Sequence, residues 1–212
     1  MRVSIHQPAY LPWLGYIDKV LNTDMFVFLD TVSFSKNSFE NRNRILLDNR
    51  EFWLTIPIKH KMGQTHLEAV PANEEWRYNH PKTIYQAYHK SKLWKEYGGI
   101  LDVDEYGEGK SLADICWSML FHLAKPFADK RKMRFDAIRS SYFEKTKLKG
   151  SELVLDICKK LHATEYYSGI MGRDYLDEDA FEEAGIKIVY QDYKPIHNYS
   201  CIHQLFTIGA EL

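Results

Sequence analysis

Ser4-Ile5-His6-Gln7-Pro8-Ala9-Tyr10-Leu11-Pro12-Trp13-Leu14-Gly15-Tyr16-Ile17-Asp18-Lys19 is the stretch on which the fold turns. Just before and into it, Arg2 to Ile5 alternates polar and apolar residues and then meets turn punctuation, which predicts a strand. Pro8 has no amide hydrogen for a central ladder and biases Gln7 away from helical geometry, so that strand ends at His6-Gln7. Pro12 stands where a first helical turn tolerates proline, and Leu14, Ile17, Val20 and Leu21 follow at helical spacing. Met25-Phe26-Val27-Phe28-Leu29 is then a continuous apolar run of the kind a strand buried on both faces needs. Strand, polar elbow, helix, strand is the resulting order. Open α/β sheets hold their ligands at such an elbow, at the carboxyl end of a strand and the start of a helix.

Beyond this stretch the chain alternates strands and helices, which predicts one domain over residues 1–212. Its class is α/β: an open, mostly parallel, Rossmann-like sheet with helices on both faces. Inserted into it are a β-hairpin and a helical section. The hairpin is Arg44 to Leu47, a turn at Asp48-Asn49-Arg50, and Glu51 to Ile58. The helical section, at about 81–130, carries apolar spacing in Thr83 to Lys92 and Leu112 to Ala128, with Gly98-Gly99 and Gly107 as punctuation. Met133 to Ile138 reads as a strand ending at Ser140-Ser141-Tyr142, and Gly150 to Leu161 as an amphipathic helix. Phe181 to Ala184 reads as a short helix capped by Gly185, followed by a strand from Ile186 to Tyr190. The tail from His197 to Leu212 has weak periodicity.

Composition excludes several classes. Lys and Arg total 28 against 29 Asp and Glu, a net charge of −1, so no global electrostatic case for nucleic acid exists. Cys116, Cys158 and Cys201 are scattered and odd in number, which predicts reduced thiols and a cytoplasmic protein. No segment has the length of a membrane span. His6, His60, His66 and His80 form no HxxxH pair, no Cys/His group has zinc spacing, and no GxSxG elbow is present.

What remains is chemistry at strand ends. His6 ends the first strand beside Gln7, Tyr10, Trp13 and Lys19. Such an imidazole suits holding a phosphate or moving a proton. Asp30 directly follows the second apolar run, at the next ligand-facing position of the sheet. Lys36, Asn37, Asn41, Arg42 and Asn43 then offer donors suited to phosphate, carboxylate or sugar hydroxyls. Lys59, His60 and Lys61 read better as a solvated turn. Ala163 to Tyr167 reads as a strand running into Ser168, Gly169, Gly172, Arg173 and Tyr175, a loop whose backbone can approach a ligand closely.

IHQPAYLPWLGYIDK, DMFVFLDTVSFSKNSFENRNRI, WLTIPI, YYSGIMGRDYL and GIKIVYQ stand in order along nearly the whole chain and resemble the WbqC-like family of bacteria. That resemblance implies a part in O-antigen, lipopolysaccharide or related polysaccharide biosynthesis, and a glycine transferase role has been proposed for a member. Carried over by motif, it marks His6, Gln7, Tyr10, Trp13, Gly15, Lys19, Asp30, Lys36, Asn37, Asn41, Arg42, Asn43, Ser168, Gly169, Gly172, Arg173 and Tyr175. In the scheme this implies, His6, Asp30 and Lys36 are catalytic, the others apart from Gly15 bind substrate, and no metal takes part. The substrate is an amino sugar, in nucleotide-linked form, and the donor is an acyl or aminoacyl group. The tail CIHQLFTIGAEL departs from the family's usual asparagine-glycine finish. The opening is also similar to the nucleotide-handling HUP fold, although Tyr16 follows Gly15 where a second histidine belongs. That likeness implies the alternative of an ATP-dependent nucleotidyltransferase or ligase. A non-catalytic sugar-nucleotide binding protein is the third reading.

Overall fold

The computed structural model describes residues 1–59, 61–101, 110–194 and 196–212. Gly107 and His60 lie outside the described residues. In chain order the elements are β1 (Arg2–His6), α1 (Leu14–Leu21), β2 (Met25–Phe28), β3 (Arg42–Leu47), β4 (Arg50–Thr55), α2 (Glu75–Tyr88), α3 (Trp94–Tyr97) and α4 (Leu112–Lys130). They continue with β5 (Ala137–Arg139), α5 (Gly150–Lys160), β6 (Glu165–Ser168), α6 (Glu178–Glu183), β7 (Lys187–Tyr190) and α7 (Cys201–Thr207).

Five strands form one sheet in the order β5-β2-β1-β6-β7, every neighbouring pair parallel. Numbered along the chain, those strands read 3-2-1-4-5, the first five positions of the Rossmann order, with a reversal beside the first strand. Alternation within the central strands divides the core in two. Val3, Ile5, Val27 and Leu29 pack with Leu153, Val154 and Ile157 of α5 and Phe181 of α6. Phe26 and Phe28 face the other way, onto Leu14, Ile17 and Leu21 of α1 and Leu120, Leu123 and Phe127 of α4. Each fully buried side chain of this size stabilises the fold by roughly 1.5–3 kcal/mol. The sheet is thus open, parallel and covered by helices on both faces.

β3 and β4 form a separate antiparallel pair, joined by Asp48 and Asn49 at φ +49° and +59°, a two-residue turn of the kind that matches strand twist. Its buried face, Ile45 and Leu54, joins the same core as α1 and α4. Ser111 caps α4 reciprocally with Asp114, which fixes where that helix begins.

Several boundaries differ from the pattern in the sequence: β3 starts at Arg42, β4 ends at Thr55 and α6 starts at Glu178, and four further differences bear on the packing. α1 starts at Leu14 with Trp13 as its N-cap, so Pro12 precedes the helix, and its carbonyl accepts the Cys201 amide at 2.7 Å. α2 begins eight residues before Thr83 and carries Pro81 within it, the residue that masks its periodicity. β5 spans only Ala137–Arg139, held at the sheet edge by β2. The tail forms a helix, α7, whose Cys201, Ile202, Leu205 and Phe206 are all buried. Its short length left too few turns for the spacing to register.

Candidate functional site

A cavity of about 1080 Å³ opens at the carboxyl ends of β1, β2, β5 and β6, where the strand order reverses. The end of β1 contributes Ile5, His6 and Gln7, and α1 contributes Lys19. Ser168, Gly169, Gly172 and Tyr175 come from the turn after β6, and Ser140 and Ser141 from the turn after β5. Residues 143–150, the link into α5, close another wall. A second depression of about 610 Å³ lies at the opposite end of the strands, lined by Arg2, Asp24, Arg134, Asp136 and Glu165 among others. Arg2 there is engaged by Glu165 at 2.8 Å, and its backbone amide by Asp24 at 2.6 Å.

His6 is held by its own elbow. Its Nδ1 stands 3.0 Å from the Gln7 carbonyl, and because a carbonyl oxygen only accepts, Nδ1 carries the proton. Nε2 therefore keeps its lone pair. The edges of Trp13 and Tyr16 flank the ring, with centroids 5.4 and 4.8 Å away. Burial, then the nearby Lys19 ammonium, push the imidazole down to about 3, against the Gln7 bond, so it is neutral at physiological pH.

Lys19 reaches from α1 back to β1, donating to the Ile5 carbonyl at 3.0 Å. The residue is only 4% exposed, and burial lowers its amine to about 7. Its ammonium makes no ion pair of 4 Å or less with a carboxylate among the described residues. A neutral base and a readily deprotonated amine thus share one wall.

The elbow itself is strained and braced. Leu11 has φ +46°, a left-handed conformation that costs a bulky residue about 1–3 kcal/mol. Its carbonyl accepts the Asn43 side-chain amide at 2.6 Å, and its amide meets the Met119 sulfur at 3.3 Å. The hairpin therefore fixes the loop that presents His6.

Gly172 is required by packing. A Cβ there would stand 2.1 Å from the Ser168 hydroxyl and 2.9 Å from Leu176. Gly169 differs: its backbone is extended, and an added Cβ would meet nothing within 4 Å.

Several residues marked from the sequence lie away from the cavity wall. Asp30 is fully buried, accepting from Ser140 Oγ at 2.8 Å, the Ser141 amide at 2.9 Å, Ser141 Oγ at 2.9 Å and Arg139 Nε at 2.6 Å. Arg139 continues to Asp114 of α4 at 2.6 Å. Asp30 thus positions the serine turn that lines the cavity, without lining it. Lys36 and Asn37 are exposed on a turn, Asn37 at φ +62°. Asn41 donates to the Ile56 carbonyl at 2.8 Å, and Asn43 to Leu11. Arg42 stacks 4.5 Å over Trp53, and Arg173 4.4 Å over Tyr190. Tyr10 is buried with its hydroxyl 2.6 Å from His80 Nδ1, and Trp13 touches His6 from behind. Gly15 accepts from Gln191 Nε2 at 2.8 Å through its carbonyl.

A profile of the WbqC-like protein family matches residues 7–209. The chain belongs to the WbqC-like protein family. Among relatives of this WbqC-like chain is a Mycobacterium tuberculosis protein named "Uncharacterized protein Rv1507c", 26% identical over 236 residues, covering 99% of this chain and 95% of the relative. No solved structure matches it.

The sequence reading missed the wall formed by Lys145, Lys147 and Lys149. A signal was present: lysine at every second residue, immediately before a helix start. Among the described residues no three His, Cys, Asp or Glu side chains stand together as metal ligands, and no helix is long and apolar enough to cross a membrane. The three cysteines are buried, and burial raises their thiols, to about 12 for Cys158 and Cys201.

Proposed function

We propose that this WbqC-like protein is an acyl- or aminoacyl-transferase that modifies the amino group of a phosphate-linked sugar in bacterial surface-polysaccharide synthesis. The observation that carries the reading is the pairing of His6 and Lys19 on one wall of a cavity at the reversal of strand order. His6 Nε2, left with its lone pair by the Nδ1–Gln7 bond, accepts the proton of the attacking amine once the negative charge of a bound phosphate raises the imidazole from its ligand-free value of about 3. The amine nitrogen bonds to the carbonyl carbon of an activated donor, a thioester, ester or acyl phosphate. The bond from that carbon to the leaving group then breaks, and His6 returns the proton to the leaving group. The Lys19 ammonium offsets negative charge that develops nearby.

Asp30 enters this scheme as a positioning residue, through Ser140 and Ser141. Lys36, Arg42 and Arg173 have no part in it, since Lys36 is exposed away from the cavity lining and the two arginines stack on Trp53 and Tyr190.

The test is mass spectrometry of amino-sugar nucleotides incubated with acyl and aminoacyl donors. An acylated product is expected, and His6→Ala should lower turnover by about 10²–10⁴-fold with the melting temperature unchanged. Full activity in that variant would remove His6 from the mechanism.

One observation favours a second reading. The strand order 3-2-1-4-5, with the cavity beside its first strand, is also an arrangement suited to nucleotides. An ATP-dependent ligase or nucleotidyltransferase would release pyrophosphate or AMP on turnover, and magnesium with ATP would raise the melting temperature by mass action.

A further inference from the structure

The wall formed by residues 143–150 has chemistry that the transfer scheme does not use. Lys145, Lys147 and Lys149 recur at every second position, and Lys149 has extended backbone at φ −141° and ψ 164°. All three line the cavity, together with Thr146 and Leu148 between them. None of the three is in an ion pair of 4 Å or less among the described residues. The segment then runs into α5, an 11-residue helix whose first amides face the same end of the sheet.

Charge on the cavity wall is unbalanced. Five lysines line it, Lys19, Lys145, Lys147, Lys149 and Lys160, against three carboxylates, Glu68, Glu144 and Asp156. With all of them ionised, two positive charges are left over. Lys160 is already paired with Asp156 at 2.7 Å. Glu68 is held by the Thr65 amide and hydroxyl, with Lys61 and Lys145 near enough to add to its acidity. With Glu144 offsetting one charge, the excess of two is shared among Lys147, Lys149 and the buried Lys19, whose ammonium has one backbone acceptor. Exposed lysines alone would be solvated surface. A buried ammonium on the same wall is different, because it keeps its charge in the interior more readily with an anion beside it than without one.

We infer that the lysine segment 145–149, acting with Lys19, is a clamp for a diphosphate, so that the cavity takes a nucleoside diphosphate or its sugar ester. The two charges of a diphosphate diester match the two left over on the wall. Apolar groups beside the clamp, Leu29, Val32, Phe143 and Leu153, supply a surface for a base or sugar. The inference uses the cavity of the transfer reading, and rests on that reading only for the sugar; it concerns binding alone.

Isothermal titration with UDP, ADP, inorganic pyrophosphate, UMP, AMP and the nucleosides tests it. Diphosphates should bind at least about tenfold tighter than the monophosphates, with affinity falling as salt rises, and nucleosides should not bind measurably. The triple variant Lys145→Ser, Lys147→Ser, Lys149→Ser, at exposed positions, should keep its melting temperature and lose at least about tenfold in diphosphate affinity. Nucleosides binding as tightly as diphosphates, or wild-type affinity in the triple variant, would overturn the clamp. Acyl transfer to a sugar without phosphate, with no diphosphate binding, would sink the clamp and leave transfer standing. Diphosphate binding with no transfer product from any donor would do the reverse.

Discussion

Two polar segments follow the first two strands of the sheet, and they have opposite fates. The elbow after β1 presents His6 and Gln7 to a cavity. In the longer segment after β2, Thr31, Val32 and Ser33 reach that cavity, while its amide and guanidinium groups turn to the protein itself. Asn41 and Asn43 give their amides to backbone carbonyls, Arg42 covers Trp53, and Asp30 binds two serines and an arginine. The difference lies in what each group is offered locally. A donor beside a hairpin and a strained loop finds unsatisfied carbonyls within reach, as the Leu11 carbonyl does for Asn43. Lys19, buried in a helix whose own carbonyls are taken, finds only the end of β1. Richness in side-chain donors marks a braced loop as readily as a binding loop.

The contrast is most sharply broken at Asp30. Were it a ligand-facing group, removing it would spare the fold. As the acceptor of four bonds in the interior, Asp30→Ala should instead cost about 3–5 kcal/mol, read by chemical denaturation. A stable Asp30→Ala protein lacking only ligand binding would return this residue to the cavity.

Lys19 comes next. Its amine is lowered by burial from 10.5 to about 7, so between those values the unfolded chain binds more protons than the folded one. The Lys19 contribution to stability should therefore rise with pH above about 7, most visibly below pH 9, beyond which the raised thiols of Cys158 and Cys201 pull the other way. His6, lowered from 6.5 to about 3, adds a rise of the same sign across that lower window. Lys19→Met should flatten the upper rise and reduce the lower one only in part, because burial outweighs the Lys19 charge in lowering His6. An unchanged upper slope in Lys19→Met would mean the ammonium is solvated.

Gly169 carries the smallest effect on folding. Its backbone suits any residue and an added methyl meets nothing, so Gly169→Ala should leave stability unchanged or raise it by about 0.4–1 kcal/mol. Ligand affinity should nevertheless fall, because the methyl enters the cavity from its wall. Unaltered affinity would place the ligand away from the β6 turn.

The sheet was legible because its strands announce themselves. Met25–Phe28 and its continuation are apolar throughout, as burial on two faces demands, and Pro8 ends β1 where it should. The hairpin was legible from Asp48-Asn49, residues that tolerate positive φ. α7 and the start of α2 were not, since one is a two-turn helix and the other hides its period behind Pro81. In the candidate site, His6 and Gly169 could be placed because strand ends fix their positions, and Lys19 because the helix after β1 packs back beside that strand. Asn43, Arg42 and Arg173 could not, because which carbonyl or ring a long side chain meets depends on elements distant in sequence, Leu11 and Tyr190 among them. The lysines of residues 145–149 escaped notice because a charged link before a helix reads as solvent-facing until the cavity beside it is seen.

The central claim is that a phosphate-bearing ligand occupies the cavity at the end of β1 and β6. Backbone amide NMR on titration with a nucleoside diphosphate tests it directly. The account predicts shifts concentrated at His6, Ser141, Lys147 and Gly169, with Asn41 to Arg44 unmoved. Shifts centred on the β3–β4 hairpin, with the β1 and β6 ends silent, would contradict it.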